Sequence, residues 1–317
     1  MNSRATCFTL LAGIAISLFA GLPAQAQQRA RVFVSVNGND ANPCSALSPC
    51  KTFQRAHDAV LAGGEISVLD TGGYGTLIIS KAISIVAIGV EASIAIPSGG
   101  TGITINASAS DAISLRGLII DGTGVGGTGI ALVNAQSLVI ENCVVRNMTA
   151  SGIALAPTSV SNITVSDTVV ADNGGHGIYV QPTNTVYAVF NRVQALRNSQ
   201  KGIGIFANLA LSVLIDATAI DCVSAFNDQG FYALGANPGP GNIVMNALLR
   251  VFRSTSQRNT NRGIYADASS EVSVSQSHLE SDGWSASPSG VLISYGDNYN
   301  GGTAPPPQPI GFTFSRT

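Results

Sequence analysis

Three sets of side chains in this sequence are of types that do chemistry, and each raises a question of spacing. His176 stands between Gly175 and Gly177, an imidazole whose ordinary pKa suits proton transfer near neutrality. Asp167, Arg192 and Asp221 recur at nearly even intervals along the chain. Carboxylates brought together can act as acid and base or hold a cation, and glycoside hydrolysis normally needs two of them around the bond that breaks. Tyr179, Tyr232 and Tyr265 combine apolar area with a polar tip. His176, Lys201 and Arg262 accompany them in sequence with basic groups. None of these sets is a site unless the fold turns distant residues into neighbours.

A repeat supplies that possibility. Glycine followed by an apolar residue recurs at Gly102, Gly129, Gly152, Gly177, Gly202, Gly230, Gly263 and Gly290. The spacing is nearly regular, and a fixed period of this size marks a repeat architecture. Counting from the glycine, the first and third positions are apolar, as in Ile130 and Leu132 or Ile178 and Val180. Period two means strand, with these residues facing inward. A second β-rich stretch follows in each unit, such as "SLVIENCVV" or "NITVSDTVV", and then Asn or Asp. The units are too short for a strand–helix–strand crossover. The pattern predicts an all-β coil whose rungs stack about 4.8 Å apart, so that equivalent residues form columns.

Composition narrows the setting. Of 317 residues 45% are hydrophobic and 11% charged, with 35 glycines, fewer charges than the ~25% of an ordinary soluble domain. The opening "MNSRATCFTLLAGIAISLFAGLPAQAQ" has one basic residue, Arg4, an apolar run from Cys7 to Leu22, and Ala24-Gln25-Ala26. This pattern predicts a signal peptide over residues 1–26. The run is shorter than the ~20 residues that span a bilayer, and no later segment is long and apolar enough. The mature chain is expected to be exported, to periplasm or medium, with no membrane span. Cleavage leaves 15 basic and 18 acidic residues with no basic cluster, which argues against a nucleic-acid partner. In an exported chain Cys44 and Cys50, close together in "NPCSALSPC", are expected to bond to each other. No zinc-ligand spacing occurs, and neither metal nor cofactor is expected from the residues.

With repeat and entry segment together, the chain resembles the right-handed parallel β-helix proteins of the pectin-lyase-like superfamily over roughly Arg31 to Tyr295. The segment "PCKTFQRAHDAVLAGGEISVLDTGGYGTLIISKAISIVAIG" looks like that family's N-terminal region. The resemblance implies a single-stranded, right-handed parallel β-helix, a solenoid, with a short N-terminal capping helix. Phe53, Ala56 and Val60 have helical spacing, placing that helix over 51–62. Four regions are expected: the signal peptide 1–26, an N-terminal cap 27–64 containing Cys44 and Cys50, the coil 65–300, and a Pro-rich tail 301–317.

The columns then weigh the chemistry. Gly175-His176-Gly177 resembles the histidine motif of polygalacturonases, which hydrolyse pectin. That family also carries N-T-D, D-D and R-I-K segments, and none occurs here. His176 falls instead in a variable corner column with Thr128, Ser151, Lys201, Gln229, Arg262 and Ser289, between glycines that suit tight corners. The second position after each glycine reads Ala131, Ala154, Tyr179, Gly204, Tyr232, Tyr265 and Leu292. These tyrosines are expected to form a flat external aromatic strip flanked by His176, Lys201 and Arg262, suited to a polysaccharide or cell-surface glycan, an anionic one in particular. Alternatively the tyrosines simply stack on one another as strand residues. Asn142, Asp167, Arg192 and, allowing a one-residue slip, Asp221 align in another column, with Glu141 beside it. Polysaccharide lyases of the resembling superfamily use carboxylates for Ca²⁺ and a Lys or Arg as base, so Asp167, Arg192 and Asp221 are weak catalytic candidates. A salt-bridge ladder is the blander reading. Cys143 and Cys222 align three rungs apart, too far to bond. Asn147, Asn198, Asn227 and Asn259 are expected to form an amide ladder. The resulting reading is an exported parallel β-helix that binds carbohydrate or serves as a surface scaffold without catalysis. The alternative is a lyase-like enzyme, or a glycoside hydrolase of the same superfamily, acting on uronate polysaccharide, with Ca²⁺ possible only there.

Overall fold

The computed structural model describes residues 29–207, 213–236, 245–280 and 283–301. The expected signal peptide and the tail from Gly302 onward lie outside the described residues.

Each turn of the chain contributes one strand to each of three parallel sheets. Ser137–Glu141, Val144–Arg146 and Ile153–Leu155 make one turn, and Ser161–Ser166, Val169–Ala171 and Ile178–Val180 make the next. Leu138 pairs with Ile163, Val145 with Val170 and Ile153 with Ile178, so one sequence repeat becomes a one-rung step. Among the described residues the first sheet has eleven strands, the second ten and the third nine. Alternation inside each strand sends apolar residues to the axis. One inner column runs Leu115, Ile140, Val165, Phe190, Ala219, Val251 and Val274, every member buried. Volume is traded along it: the ring of Phe190 has Ala219 on the next rung and Ala188 on its own strand, as close packing requires.

The corner between the first and second sheets is made by one residue in the left-handed region. Gly117 (φ +75°), Asn142 (+52°), Asp167 (+49°), Arg192 (+53°), Asp221 (+54°), Arg253 (+46°) and Gln276 (+49°) occupy it in turn. Such a conformation is uncommon outside glycine. Here it recurs because the bend, not the residue type, dictates it. The next residue turns inward. There the Cys143 N–H donates to Thr168 Oγ1 (3.3 Å), Cys222 N–H to Ser254 Oγ (3.1 Å), and Ser254 N–H to Ser277 Oγ (3.1 Å). Cys143 and Cys222 are free, buried thiols in this column, each pushed up to about 11 by burial.

The corner between the second and third sheets holds the amide ladder, with one correction. Asn173 Nδ2 donates to Asn198 Oδ1 (2.8 Å), Asn198 Nδ2 to Asn227 Oδ1 (3.0 Å), and Asn227 Nδ2 to Asn259 Oδ1 (3.2 Å), all buried. Asn147 is not a rung of it. It occupies a second left-handed column (φ +61°), one residue earlier, and its Nδ2 donates to Asp121 Oδ1 (3.0 Å). The ladder also explains the repeat glycines. A Cβ on Gly177 would lie 2.6 Å from Gly202 O and 2.8 Å from Asn198 Nδ2. Close approach of backbone and amide, rather than a positive φ, excludes any side chain there.

Two further expectations are adjusted. The helix spans Phe53–Ala59, shorter than 51–62, because Val60 is already extended and opens the strand Val60–Val68. Thr52 accepts the Arg55 N–H at its start (3.2 Å), and Phe53 and Ala56 are buried. Gly290-Val291 is not a repeat of the third sheet. Trp284–Ala286 fills that place, pairing Tyr265 with Ser285, while Val291–Ser294 belongs to the first sheet beside Glu271. Gly283-Trp284 is the true repeat, and Leu292 and Ser289 leave their proposed columns. Cys44 and Cys50 form a disulfide.

Candidate functional site

Outward positions on the third sheet assemble the first candidate. The strands Ile178–Val180, Lys201–Phe206, Gln229–Leu234 and Arg262–Ala266 lie in register, placing Tyr179, Gly204, Tyr232 and Tyr265 on successive rungs. The gap at Gly204 is not empty. Phe206, two residues on and therefore on the same face, folds back over it, and a Cβ on Gly204 would sit 2.7 Å from that ring. The aromatic column is consequently continuous. Ring centroids are 4.9 Å apart for Tyr179–Phe206, 5.1 Å for Phe206–Tyr232 and 6.0 Å for Tyr232–Tyr265. Sequence reasoning misses Phe206, although period two combined with the glycine beside it was the available signal.

The strip is corrugated rather than flat. Neighbouring rings are tilted by 35–48°. Tyr232 is only 7% exposed, so it supports the column instead of presenting a face. Its hydroxyl donates to Asp267 Oδ2 (2.8 Å), and burial together with that carboxylate pushes its pKa upward. Tyr179 and Tyr265 remain half-exposed at the two ends. Burial also raises the pKa of Tyr179, whose hydroxyl donates to Gln181 Oε1.

The basic residues divide into three cases. His176 stacks on Tyr179 at 4.8 Å with planes 10° apart, and touches Phe206 at 5.2 Å. Burial, assisted by Lys201, lowers its pKa to about 4. Its Nδ1 accepts the Lys201 backbone N–H (3.3 Å), which requires a lone pair there. His176 is therefore a neutral stacking member at physiological pH, and adds no charge toward an anion. Lys201 lies over Tyr232 (5.2 Å) but is neutralised by Asp228 Oδ2 at 3.3 Å. Arg262 lies over Tyr265 (4.2 Å), and no carboxylate pairs with it among the described residues.

The second candidate occupies the first left-handed corner. Arg192 grips Asp167 through two bonds (2.6 and 2.7 Å), and Arg253 grips Asp221 likewise (2.8 Å each). Asp221 thus belongs to a different pair from the one formed by Asp167 and Arg192. Two rungs earlier Arg116 does the same to Glu141 (2.6 and 3.0 Å). The Arg192 bonds hold Asp167 below the usual carboxylate range, and the same pairing raises the guanidinium. An arginine held this firmly charged is a poor proton acceptor. Arg116, Glu141, Asn142 and Asp167 nevertheless line one open hollow of about 440 Å³ with Ala87, Ile88 and Gly89. Among the described residues no three His, Cys, Asp or Glu side chains converge as a metal site, and no helix is long and apolar enough to cross a membrane.

Comparison with known proteins places the coil. A family model described as a right handed beta helix region matches residues 65–214. Pectate lyase Pel9A has a similar structure, with a TM-score of 0.59 at 16% identity over 89% of this chain and 82% of that one. A rhamnogalacturonan lyase aligns with a TM-score of 0.48 at 15% identity over 80% of this chain and 74% of that one. An alginate lyase from Paenibacillus sp. str. FPU-7 aligns at 0.47 and 14% identity over 86% and 99%. No curated protein matches the sequence.

Proposed function

Starting from a right-handed parallel β-helix of the pectin-lyase-like fold, we propose that this protein is exported and binds carbohydrate without cleaving it, through the outer face of its third sheet. One observation carries the reading: four rings and a stacked imidazole run unbroken over four rungs, with cations beside them. Sugars offer apolar C–H faces and hydroxyls together, and aromatic residues with polar tips meet both needs. Tyr179 and Tyr265 contact the ligand, while Phe206, Tyr232 and His176 hold them in place. The signal peptide reading and the Cys44–Cys50 disulfide support export, since disulfides persist in oxidising compartments. The Phe53–Ala59 helix is read as the cap over the first turn, which would otherwise expose an apolar edge.

The test is retention on polysaccharide columns and a glycan array. Tyr179→Ala with Tyr265→Ala should abolish retention while leaving the circular dichroism of the coil intact. Retention equal to that of the unaltered protein would remove the basis for the reading.

A second reading, a lyase acting on uronate chains with Ca²⁺, draws on the hollow lined by Arg116, Glu141, Asn142 and Asp167. Calcium takes six to eight oxygens, and here both carboxylates already serve guanidinium groups. A rise in absorbance from unsaturated uronate ends, on incubation with pectate or alginate and Ca²⁺, would favour it over the binding role.

A further inference from the structure

In each complete turn a strand of the second sheet is followed by one of the third. The last turn breaks off. Val291–Ser294 extends the first sheet and Tyr299–Asn300 the second, but among the described residues the third ends at Trp284–Ala286. That strand presents an edge whose backbone donors and acceptors can take another strand. Its side chains are not those of an edge open to water. Trp284, in register with the inward Ile264, is 6% exposed, and Leu292 at the same end is 7% exposed. Five shielded side-chain atoms lack a hydrogen-bond partner among the described residues, and three of them are here: Trp284 Nε1, Ser285 Oγ and Ser287 Oγ. Shielded polar atoms are nearly always paired, so this cluster points to a missing group.

The sequence holds a segment of matching pattern. Gly301 leaves the second sheet with its N–H donating to Leu279 O (2.9 Å), at the point where earlier turns pass on to the third. The chain then runs through Pro305, Pro306, Pro307 and Pro309 to Ile310-Gly311-Phe312-Thr313-Phe314-Ser315. Prolines cannot donate to a ladder. The six residues after them alternate apolar with small or polar, the period of a strand with one buried face. The stretch 301–309 lies between, and extended chain covers about 3.3 Å per residue, ample for one corner.

We propose that residues 310–315 add to the edge of Trp284–Ala286 as a parallel strand, completing the third sheet and closing that end of the coil. Ile310, Phe312 and Phe314 then cover Trp284 and Ala286. Thr313 and Ser315 come alongside Ser285 and Ser287 with hydroxyls to pair with theirs, and the proline-rich corner brings carbonyl oxygens as acceptors for the Trp284 N–H. Because Ser285 is in register with Tyr265, the added strand also sets the end of the face that carries the rings.

Two measurements on the full chain test this. Trp284 is the one tryptophan of the sequence, so its emission reports the edge directly. Phe312→Asp with Phe314→Asp should move that emission to longer wavelength and make it more readily quenched by acrylamide, with the circular dichroism of the coil unaltered. Should that variant lose the coil, linking rates alone decide. Ser285→Cys with Thr313→Cys, treated with a short dimaleimide, should link within one molecule, since neighbouring strands lie about 4.8 Å apart. Cys143 and Cys222 are buried and Cys44 is bonded to Cys50, so the introduced thiols react first. Tyr295→Cys with Thr313→Cys, which samples the exposed outer face of the first sheet beside Phe252, should link far more slowly. Emission and quenching unchanged in a folded Phe312, Phe314 variant overturn the proposal. Equal linking of the two pairs, which means a loose tail, overturns it too, as does faster linking at Tyr295, which puts the tail on the first sheet. Links formed only between molecules would make a second copy the donor of the strand, and overturn it as well.

Discussion

His176 shows how a residue's surroundings override its motif. Its flanking glycines suggested catalysis, yet the ring lies against Tyr179 and Phe206, and burial lowers its pKa to about 4 from 6.5. That depression has a stability consequence. The unfolded chain takes up the proton first, so the stabilisation is complete above about pH 6.5 and is lost as pH falls toward 4. His57, buried under the first strands and accepting the Ser80 N–H (3.2 Å), is lowered in the same direction by burial. Melting temperature should fall between pH 7 and pH 5, and His176→Gln should flatten part of that slope. A slope identical in the variant would show that the imidazole is not buried as described. The tyrosines were legible from the repeat because period two assigns a face. Which of them is accessible was not, because the burial of Tyr232 depends on Phe206 and Asp267, residues in no obvious relation to it along the chain.

Corners obey the same logic one level up. Seven successive turns place a left-handed residue between the first and second sheets, and only the first is glycine. A side chain in that region costs ~1 kcal/mol, and glycine's extra freedom when unfolded offsets part of the gain from relieving it. Gln276→Gly, at an exposed corner, should therefore raise stability by about 0.5 kcal/mol in urea unfolding. Gly117→Ala should lower it by about 2 kcal/mol, because its Cβ would meet Ala87 O at 2.0 Å as well as suffering the strain. Equal effects of the two changes would refute the claim that the bend dictates the conformation. Strands and their inward residues were readable in the sequence, because alternation reports burial directly. The asparagine ladder was readable for Asn198, Asn227 and Asn259 and misassigned by one residue at Asn147. A left-handed corner and a ladder position adjoin, and both suit asparagine. Gly290 misled for a related reason: a glycine before an apolar residue marks a corner without saying which corner.

At the scale of the molecule, one period converts sequence distance into height. A single repeat step brings Arg192 onto Asp167 and Arg197 onto Asp172 (2.6 Å each). These exposed pairs are screened by solvent and contribute little to stability. The buried aliphatic columns and amide ladder hold the rod, which leaves its outer faces to vary. That division is why the fold was legible from repeats, whereas the site was legible only as candidate columns. Surface chemistry on a solenoid is not constrained by the repeat that builds it. Two surfaces compete for a role, the ring column of the third sheet and the hollow at Arg116, Glu141 and Asp167, and they lie on different parts of the coil. Hydrogen exchange of backbone amides, with and without a retained oligosaccharide, separates them in one experiment. The account predicts added protection in Ile178–Val180, Lys201–Phe206, Gln229–Leu234 and Arg262–Ala266. Protection confined to the segments around Arg116, Glu141 and Asp167 would contradict it.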